Sequence, residues 1–155
     1  MLRIVGDRVS KIEATRDELL ERPLKIGTKV NIVDVEKKQL FGAEGSKEGV
    51  SFKYVFEVEY GSKPCARILV EGAVFAIGTK KEREEIIDLW RTDKPKAMEL
   101  SLPFLNRAME LGYLSAIPVA KELRLPTPLK LPRFITKENE ESLDEKKSSK
   151  KEKKE

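Results

Sequence analysis

Residues 50–60, VSFKYVFEVEY, alternate apolar side chains with mostly polar ones. Every second residue from Val50 to Tyr60 is aliphatic or aromatic, and the positions between them include Lys53, Glu57 and Glu59. A period of two is typical of a β-strand that has one face on a core and the other toward solvent. The stretch therefore predicts a β-strand whose apolar residues lie on one face of a sheet, and the flanking sequence is interpreted around it.

An earlier strand is predicted from Leu24, where apolar residues stay in phase until Ile32 and then shift to Val33. A phase change of this kind indicates a β-bulge or the end of a strand. Glycine-rich residues 42–49, GAEGSKEG, then form a hairpin-like connection, so we expect antiparallel pairing with the strand over residues 50–60. A weaker, broken alternation over residues 2–14 predicts one more strand at the start of the chain.

A further strand follows the short turn after Tyr60 and covers ARILVEGAVFAIG, residues 66–78. Its first half alternates charged and apolar residues, whereas from Gly72 onward both faces are apolar. A strand that is apolar on both faces is usually covered on both sides. We expect the second cover to be a helix beginning at Pro103, in this or a neighbouring subunit.

Helices are predicted after the last strand. Thr79 and Glu82 have capping-box spacing, which predicts a helix over residues 80–91. A break at Asp93-Lys94-Pro95 follows, and a second helix is predicted from Leu102 or Pro103 to Gly112, because proline suits a first turn and glycine suits a helix end.

The predicted elements give an α+β fold, a four-stranded antiparallel sheet followed by helices packed on one side. One domain would occupy residues 1–135, with residues 113–135 extended because they contain four prolines. Residues 136–155 carry many charges, a single leucine and no aromatic residue, so they are expected to form a disordered tail.

Composition excludes several classes of chemistry. The chain has no histidine, which removes histidine triads and imidazole metal sites, and a single cysteine, Cys65, which removes an internal disulfide. Some clustered carboxylates lie on the polar side of a predicted helix, where a solvated surface explains them. They are Glu82, Glu84, Glu85 and Asp88. We therefore expect no enzyme activity, no catalytic residue, no metal and no cofactor.

The apolar runs are shorter than the ~20 residues that a membrane-spanning helix needs. The start of the sequence lacks the apolar core of a signal peptide. A cytoplasmic protein without membrane insertion is expected. Charged residues make up 37% of the chain and Gln39 is its only glutamine, a composition that suggests a thermophilic source.

The motifs and their order resemble the SecB family of export chaperones over about residues 2–134. Glu71–Ile77, EGAVFAI, is similar to the family's polar–Gly–x–apolar–Phe–x–apolar end of strand four. Pro103-Phe104 resembles the proline–aromatic start of the family's helix, with Gly112 at the helix end. The proline-containing aliphatic segment that follows is also similar to the family's approach to its last helix.

The resemblance implies an ATP-independent chaperone (holdase) that binds unfolded or nascent polypeptides in apolar grooves and assembles as a dimer of dimers, a homotetramer. The implied groove lies between the crossover of residues 15–25, the third strand and the helix that begins at Pro103. Its candidate polypeptide-binding residues are Leu19, Leu20, Leu24, Phe52, Tyr54, Phe56, Phe104, Leu105 and Met109. SecB-family members are typically acidic, whereas this chain has a net charge of +4, so client holding is implied more strongly than protein transport through the export motor.

Other interpretations stay open from the residues alone. The apolar stripe over residues 102–111 is wider than one core requires, which fits either two partners or deep burial. Basic residues around 121–133 favour, as an alternative, a nucleic-acid- or ribosome-associated binding module. They are Lys121, Arg124, Lys130 and Arg133. A dedicated partner of one protein would need the same apolar surface as a general holdase.

Overall fold

The computed structural model describes residues 1–20, 24–42 and 45–128. Four strands precede three helices, which confirms the predicted α+β class. The strands are β1 (Arg3–Arg16), β2 (Ile26–Gly42), β3 (Gly45–Tyr60) and β4 (Ala66–Ile77). The helices are α1 (Lys80–Thr92), α2 (Lys94–Leu100) and α3 (Leu102–Glu122). No described helix is long and apolar enough to cross a membrane.

The strands form one antiparallel sheet in the order β1-β4-β3-β2. The chain makes two hairpins from β2 to β4, and β1 joins the free side of β4. The crossover from β1 to β2 therefore runs across one end of the sheet. Within the described residues, β1 and β2 are the two edge strands.

The two faces of the sheet differ sharply in burial. Phe52 pairs with Val74 and Phe56 pairs with Val70, and since paired residues point to the same side, these side chains share one face. All four are fully buried beneath the helices. Lys53 and Glu57 point to the opposite face, which we call the open face. The helices thus pack on one side of the sheet, as predicted.

The edges and hairpins show why the strand pattern was partly broken. The register of β2 shifts between Ile32 and Asp34, so of the two predicted alternatives, a bulge or the end of the strand, the structure has the bulge. β1 has two shifts of its own, at Val5 and at Ser10, and each bulge interrupts its alternation. The β2–β3 hairpin continues to the pair Gly42 and Gly45, so most of the predicted connection is strand.

Local signals explain the first two helices. In α1, Glu82 N donates to Thr79 Oγ1 at 3.2 Å and Thr79 N donates to Glu82 Oε2 at 3.0 Å, which confirms the capping box. The short α2 was not predicted, because its sequence was interpreted as a break. Asp93 caps it by accepting from Lys96 N at 3.3 Å, and Pro95 lies in its first turn, where a proline needs no hydrogen-bond partner.

α3 corrects two predictions, a helix end at Gly112 and an extended segment from residue 113 onward. The helix continues to Glu122. Gly112 is buried inside it, and a Cβ at this position would overlap the ring of Phe56. Glycine therefore allows close packing here and does not terminate the helix. Pro118 is tolerated in the helix interior on its exposed side, where water can satisfy the carbonyl group that proline leaves without a donor.

The predicted cover over the second face of β4 is not a helix of the described part of this chain, and the alternative, a helix of a neighbouring subunit, stays a prediction. Phe75 pairs with Ser51, on the side opposite Phe52, so Phe75 and Ile77 point to the open face. α3 lies on the other face, against Phe52. Within the described part of the chain, no helix covers the open face. Residues 21–23, 43–44 and 129–155, which include Lys130, Arg133 and the predicted tail, lie outside the described residues.

Candidate functional site

α3 lies across the middle of the sheet and contacts all four strands. Small residues at every fourth position, Ala108, Gly112, Ala116 and Ala120, form its buried side. At its first turn Phe104 stacks on Phe52, with ring centroids 4.0 Å apart and an interplanar angle of 12°. Further along, Tyr113 meets Phe56 edge to face at 5.0 Å. This spacing brings α3 close to the sheet and leaves its two flanks to be filled by larger side chains.

Tyr54 lies on the same face, opposite Gly72 of β4. A Cβ on Gly72 would strike the Tyr54 hydroxyl, so the glycine makes room for the ring. The hydroxyl is buried and makes no hydrogen bond among the described atoms. Burial, assisted by the charge of Asp7, raises the pKa of Tyr54 to about 12. Tyr54 therefore acts as a neutral core residue.

Polar contacts attach one flank of α3 to β1 at two points. Arg107 donates to Asp7 Oδ2 at 2.9 and 3.0 Å and to Glu110 at 2.8 Å. Hydrogen bonds to these two carboxylates raise the pKa of the Arg107 guanidinium. At the other end, Arg16 donates to the carbonyl of Leu123 at 2.6 Å, which satisfies a free group at the helix end. α3 and β1 are thereby held side by side.

Between these two contacts lies an apolar area that we call the β1-side surface, formed by Val9, Ile12, Leu111 and Leu114. Val9 and Ile12 pair with residues of the helix-covered face of β4, and Ile12 is still 46% exposed. Leu111 follows Arg107 by one turn and points to the same flank. Leu114 is two residues from the buried Gly112 and Ala116, so it lies at the outer, solvent-facing edge of this flank. Leu114 is 67% exposed. The flank is only partly closed by the protein's own residues.

The opposite flank carries the β2-side surface, formed by Val30, Leu105, Met109 and Tyr113. Leu105, Met109 and Tyr113 recur every four residues on α3, and Tyr113 reaches Phe56, whose register partner on β2 is Val30. All four residues are half-buried and pack against the core. The β2-side surface is therefore an apolar strip whose outer part is open to solvent.

The crossover contributes a third apolar element at the end of the sheet where α3 finishes. Asp17 N donates to the carbonyl of Cys65 at 2.7 Å, which attaches the crossover to the β3–β4 turn. Leu20 and Leu24 are half-buried against the core. Leu19 is 87% exposed, so a large aliphatic side chain is presented to solvent beside two that are anchored.

The predicted polypeptide-binding residues thus fall into different environments. Phe52, Tyr54, Phe56 and Phe104 are buried in the helix–sheet core. Leu20, Leu24, Leu105 and Met109 are half-buried, and Leu19 is exposed. The structure brings Leu105 and Met109 together, but it separates them from the crossover leucines, which lie near the other end of α3. Their role in binding stays a prediction.

Sequence reasoning missed Val9, Ile12, Tyr113 and Leu114 as surface apolar residues. The β1 pair was hidden by the bulge at Ser10, which shifts the alternation by one residue. Tyr113 and Leu114 were assigned to an extended segment because Gly112 was interpreted as a helix end. Helical spacing from Leu105 through Tyr113 is the signal that would have found the β2-side surface.

The alternative nucleic-acid site is only partly described. Lys121 and Arg124 are exposed at the end of α3, and Lys130 and Arg133 lie outside the described residues. No group of histidine, cysteine or acidic side chains within the described ranges could hold a metal ion. The basic interface around 121–133 stays a prediction.

No protein-family model matches the chain, and no curated protein matches its sequence. Among solved structures, it is similar to a SecB-like chaperone from Mycobacterium tuberculosis in complex with a ChAD peptide from the HigA1 antitoxin. The two chains are 12% identical, the match covers 86% of this chain and 90% of the other, and the TM-score is 0.49.

Proposed function

We propose that this protein is an ATP-independent chaperone that holds unfolded or nascent polypeptides against apolar surface beside α3 and on the crossover. The observation that carries the proposal is the incomplete cover of α3. Half-buried apolar side chains line both of its flanks, and Leu114 and Leu19 are largely exposed. Exposed apolar side chains that lie close together, with polar surroundings, are typical of a site that binds another chain.

The chemistry of holding fits the residues that are present. A non-native polypeptide exposes apolar side chains, and their transfer to an apolar surface is favourable by roughly 25 cal/mol per Å². Methionine and leucine adapt to side chains of different shape, so Met109 and Leu105 suit a site with varied clients. The motifs that resemble the SecB family support the same function. Binding of this kind requires no catalytic group.

We assign the two flanks different roles within the proposal. The β1-side surface lies beside an edge strand, and an unpaired strand edge readily pairs with another chain. We propose that a second copy covers this surface. The β2-side surface and Leu19 then remain for clients.

The test is suppression of aggregation. A globular protein denatured in guanidinium is diluted into buffer, and light scattering is followed with stoichiometric amounts of this protein and without ATP. The wild type is expected to suppress scattering, and Leu19→Asp is expected to require a several-fold higher concentration for the same effect. Because Leu19 is exposed, this substitution should leave the fold intact. Phe104→Asp is unsuitable, since it would bury a charge against Phe52.

Val33→Asp is the matched control. Val33 is also an exposed aliphatic residue, at 52%, but it lies on the bulge of β2 away from the crossover. It should suppress aggregation as the wild type does. The proposal fails if the wild type leaves scattering unchanged. It also fails if Val33→Asp and Leu19→Asp lose the same amount of aggregation suppression, because the effect would then follow the overall hydrophobicity of the surface.

A further inference from the structure

The open face of the sheet carries a second apolar site, distant from the crossover and on the side opposite α3. A cavity of about 650 Å³ lies where the β2–β3 hairpin meets the ends of β1 and β4. We call it the open-face cavity. Its apolar lining comprises Val5, Leu40, Phe41, Phe75 and Ile77. This is the part of β4 whose second apolar face the chain itself leaves without a helix.

Two backbone features build the cavity. Ile4 and Gly6 both pair with residues of β4, and the bulge between them leaves Val5 unpaired. Val5 is 47% exposed and is part of the cavity lining. On the hairpin, a Cβ at Gly49 would strike Leu40 Cδ1 at 2.5 Å and the carbonyl of Ala76 at 2.7 Å. Glycine at position 49 thus lets Leu40 fold across β3 toward β4. The apolar lining is therefore formed by side chains from several strands, which the backbone holds in place.

The charged side chains among the described lining residues of the cavity all have the same sign. Its lining includes the basic residues Arg3, Lys38 and Lys47, and none of its described lining residues is acidic. Beside it, the Arg8 guanidinium lies 5.8 Å from the centre of the Phe75 ring. By contrast, a cleft of about 810 Å³ between α1 and β2 is lined by both signs, including Asp34, Glu36 and Arg91. A neighbouring cleft shares Arg3 and Lys47 with the open-face cavity but is also lined by Glu48 and Glu82. The lack of acidic side chains among its described lining residues distinguishes the open-face cavity from both clefts.

We propose that the open-face cavity binds an acidic peptide segment of a partner protein. An apolar side chain of the segment would enter between Leu40, Phe75 and Ile77, and carboxylates on either side of it would pair with Arg3 and Lys38. Burial of the peptide's apolar side chain against the apolar lining favours binding. The basic rim orients the peptide and selects a partner of negative charge. A nucleic acid would use the rim but leave the apolar lining unoccupied. This site is independent of the proposed client surface, which lies on the other face.

The experiment measures fluorescence anisotropy of a labelled peptide, Glu-Glu-Leu-Ser-Phe-Glu-Glu, titrated with the full-length protein. Two peptides serve as comparisons, one with lysine in place of each glutamate and one with serine in place of leucine and phenylalanine. We expect each comparison peptide to bind at least about tenfold more weakly than the first, a difference of about 1.4 kcal/mol. Equal binding of the lysine peptide would overturn the proposal.

Protein variants locate the site. The double variant Arg3→Glu, Lys38→Glu reverses two charges of the rim and should weaken peptide binding at least about tenfold. Lys25→Glu, Lys29→Glu makes the same change in net charge at the opposite end of β2, on exposed residues, and should bind within about twofold of the wild type. Equal weakening by both pairs would show that binding follows net charge alone, which contradicts the proposal.

Further measurements distinguish an acidic peptide from other ligands of the cavity and distinguish this proposal from the proposed chaperone function. Val5→Ser removes an apolar group that lines the cavity and is 47% exposed, so a weaker peptide complex with an unchanged melting temperature supports the cavity without any charge change. Displacement of the peptide by a single-stranded oligonucleotide, or loss of oligomer mass in the rim variant, would overturn the proposal in favour of a nucleic acid or a second copy. Suppression of aggregation should be the same in the rim variant and the wild type, so failure here leaves the proposed holdase intact.

Discussion

Two buried tyrosines on the helix-covered face of β3 differ only in how their hydroxyl groups are satisfied. Burial raises the pKa of both Tyr54 and Tyr60 to about 12. Tyr60 donates to the carbonyl of Pro126 at 2.8 Å, whereas the Tyr54 hydroxyl has no partner among the described atoms. A buried polar group without a hydrogen bond contributes nothing to offset its desolvation.

Phenylalanine at each position should therefore have opposite effects. Tyr60→Phe removes a hydrogen bond and should lower the free energy of unfolding by about 1 kcal/mol. Tyr54→Phe should leave it unchanged or raise it by up to about 1 kcal/mol. Urea unfolding of the two variants measures both values. A loss of stability in Tyr54→Phe as large as that in Tyr60→Phe would contradict the packing described for β3.

Gly112 is a second residue whose role is decided by packing. Gly112→Ala would place a methyl group into the Phe56 ring and should lower the free energy of unfolding by about 1–3 kcal/mol, although alanine is the better helix former. Gly27→Ala is the control, since a Cβ there meets nothing within 4 Å, and it should stay within about 0.5 kcal/mol of the wild type. A stabilised Gly112→Ala variant would show that the helix does not approach the sheet so closely.

Residues whose role is local were predictable, and those whose role depends on distant contacts were not. The Thr79–Glu82 capping box requires only its own four-residue stretch, so the sequence was sufficient to find it. In the sequence, Gly112 cannot be distinguished from a glycine that ends a helix, because glycine is used both at helix ends and where a helix packs closely against another element. Only the position of Phe56, more than 50 residues earlier in the sequence, distinguishes the two.

Pro118 is unusual within α3, because proline rarely lies in the interior of a helix. Inside a helix it removes one hydrogen bond, and its exposed position limits the damage. Pro118→Ala should raise the free energy of unfolding by about 1–3 kcal/mol. Pro103→Ala, in the first turn of the same helix, should change it by less than about 0.5 kcal/mol. Thermal or urea unfolding provides the comparison, and a destabilised Pro118→Ala variant would mean that α3 ends before residue 118.

The strands were more predictable than the helices. β3 and β4 were located from period-two alternation and from short turns, both of which are properties of contiguous sequence. The extent of the β2–β3 hairpin was underestimated, because Gly45 and Gly49 were assigned to a loop although they lie in β3. α2 was missed because its capping residue and proline also fit a simple break. Pairing of β1 with β4 is a long-range contact that no local pattern reports.

In the proposed assembly, a second copy of the protein covers the β1-side surface. Leu114→Asp places a charge at the outer edge of this surface and should reduce the mass of the particle measured by light scattering during size exclusion. Val33→Asp, an equally drastic change on another exposed residue, should leave the mass unchanged. A wild-type protein that is already monomeric, or an unchanged mass in Leu114→Asp, would contradict the assignment.

The candidate site was only partly predictable, because exposure is a property of the assembled molecule. Apolar residues were named on the crossover, on β3 and on the second predicted helix, and the sequence could not say which of them the fold would bury. Phe52 and Phe104 stack on each other and leave the surface, whereas Leu19 stays exposed. Tyr113 entered the site only when α3 continued past Gly112.

The central claim is that a non-native polypeptide binds along the β2-side surface and on the crossover. Methyl-labelled NMR spectra of the protein, recorded with and without a permanently unfolded client, test it most directly. We expect the methyl signals of Leu19, Leu105 and Met109 to shift or broaden at stoichiometric client and the signals of Val33 to stay in place. Unchanged signals from the first three residues, or shifts confined to the open face, would contradict it.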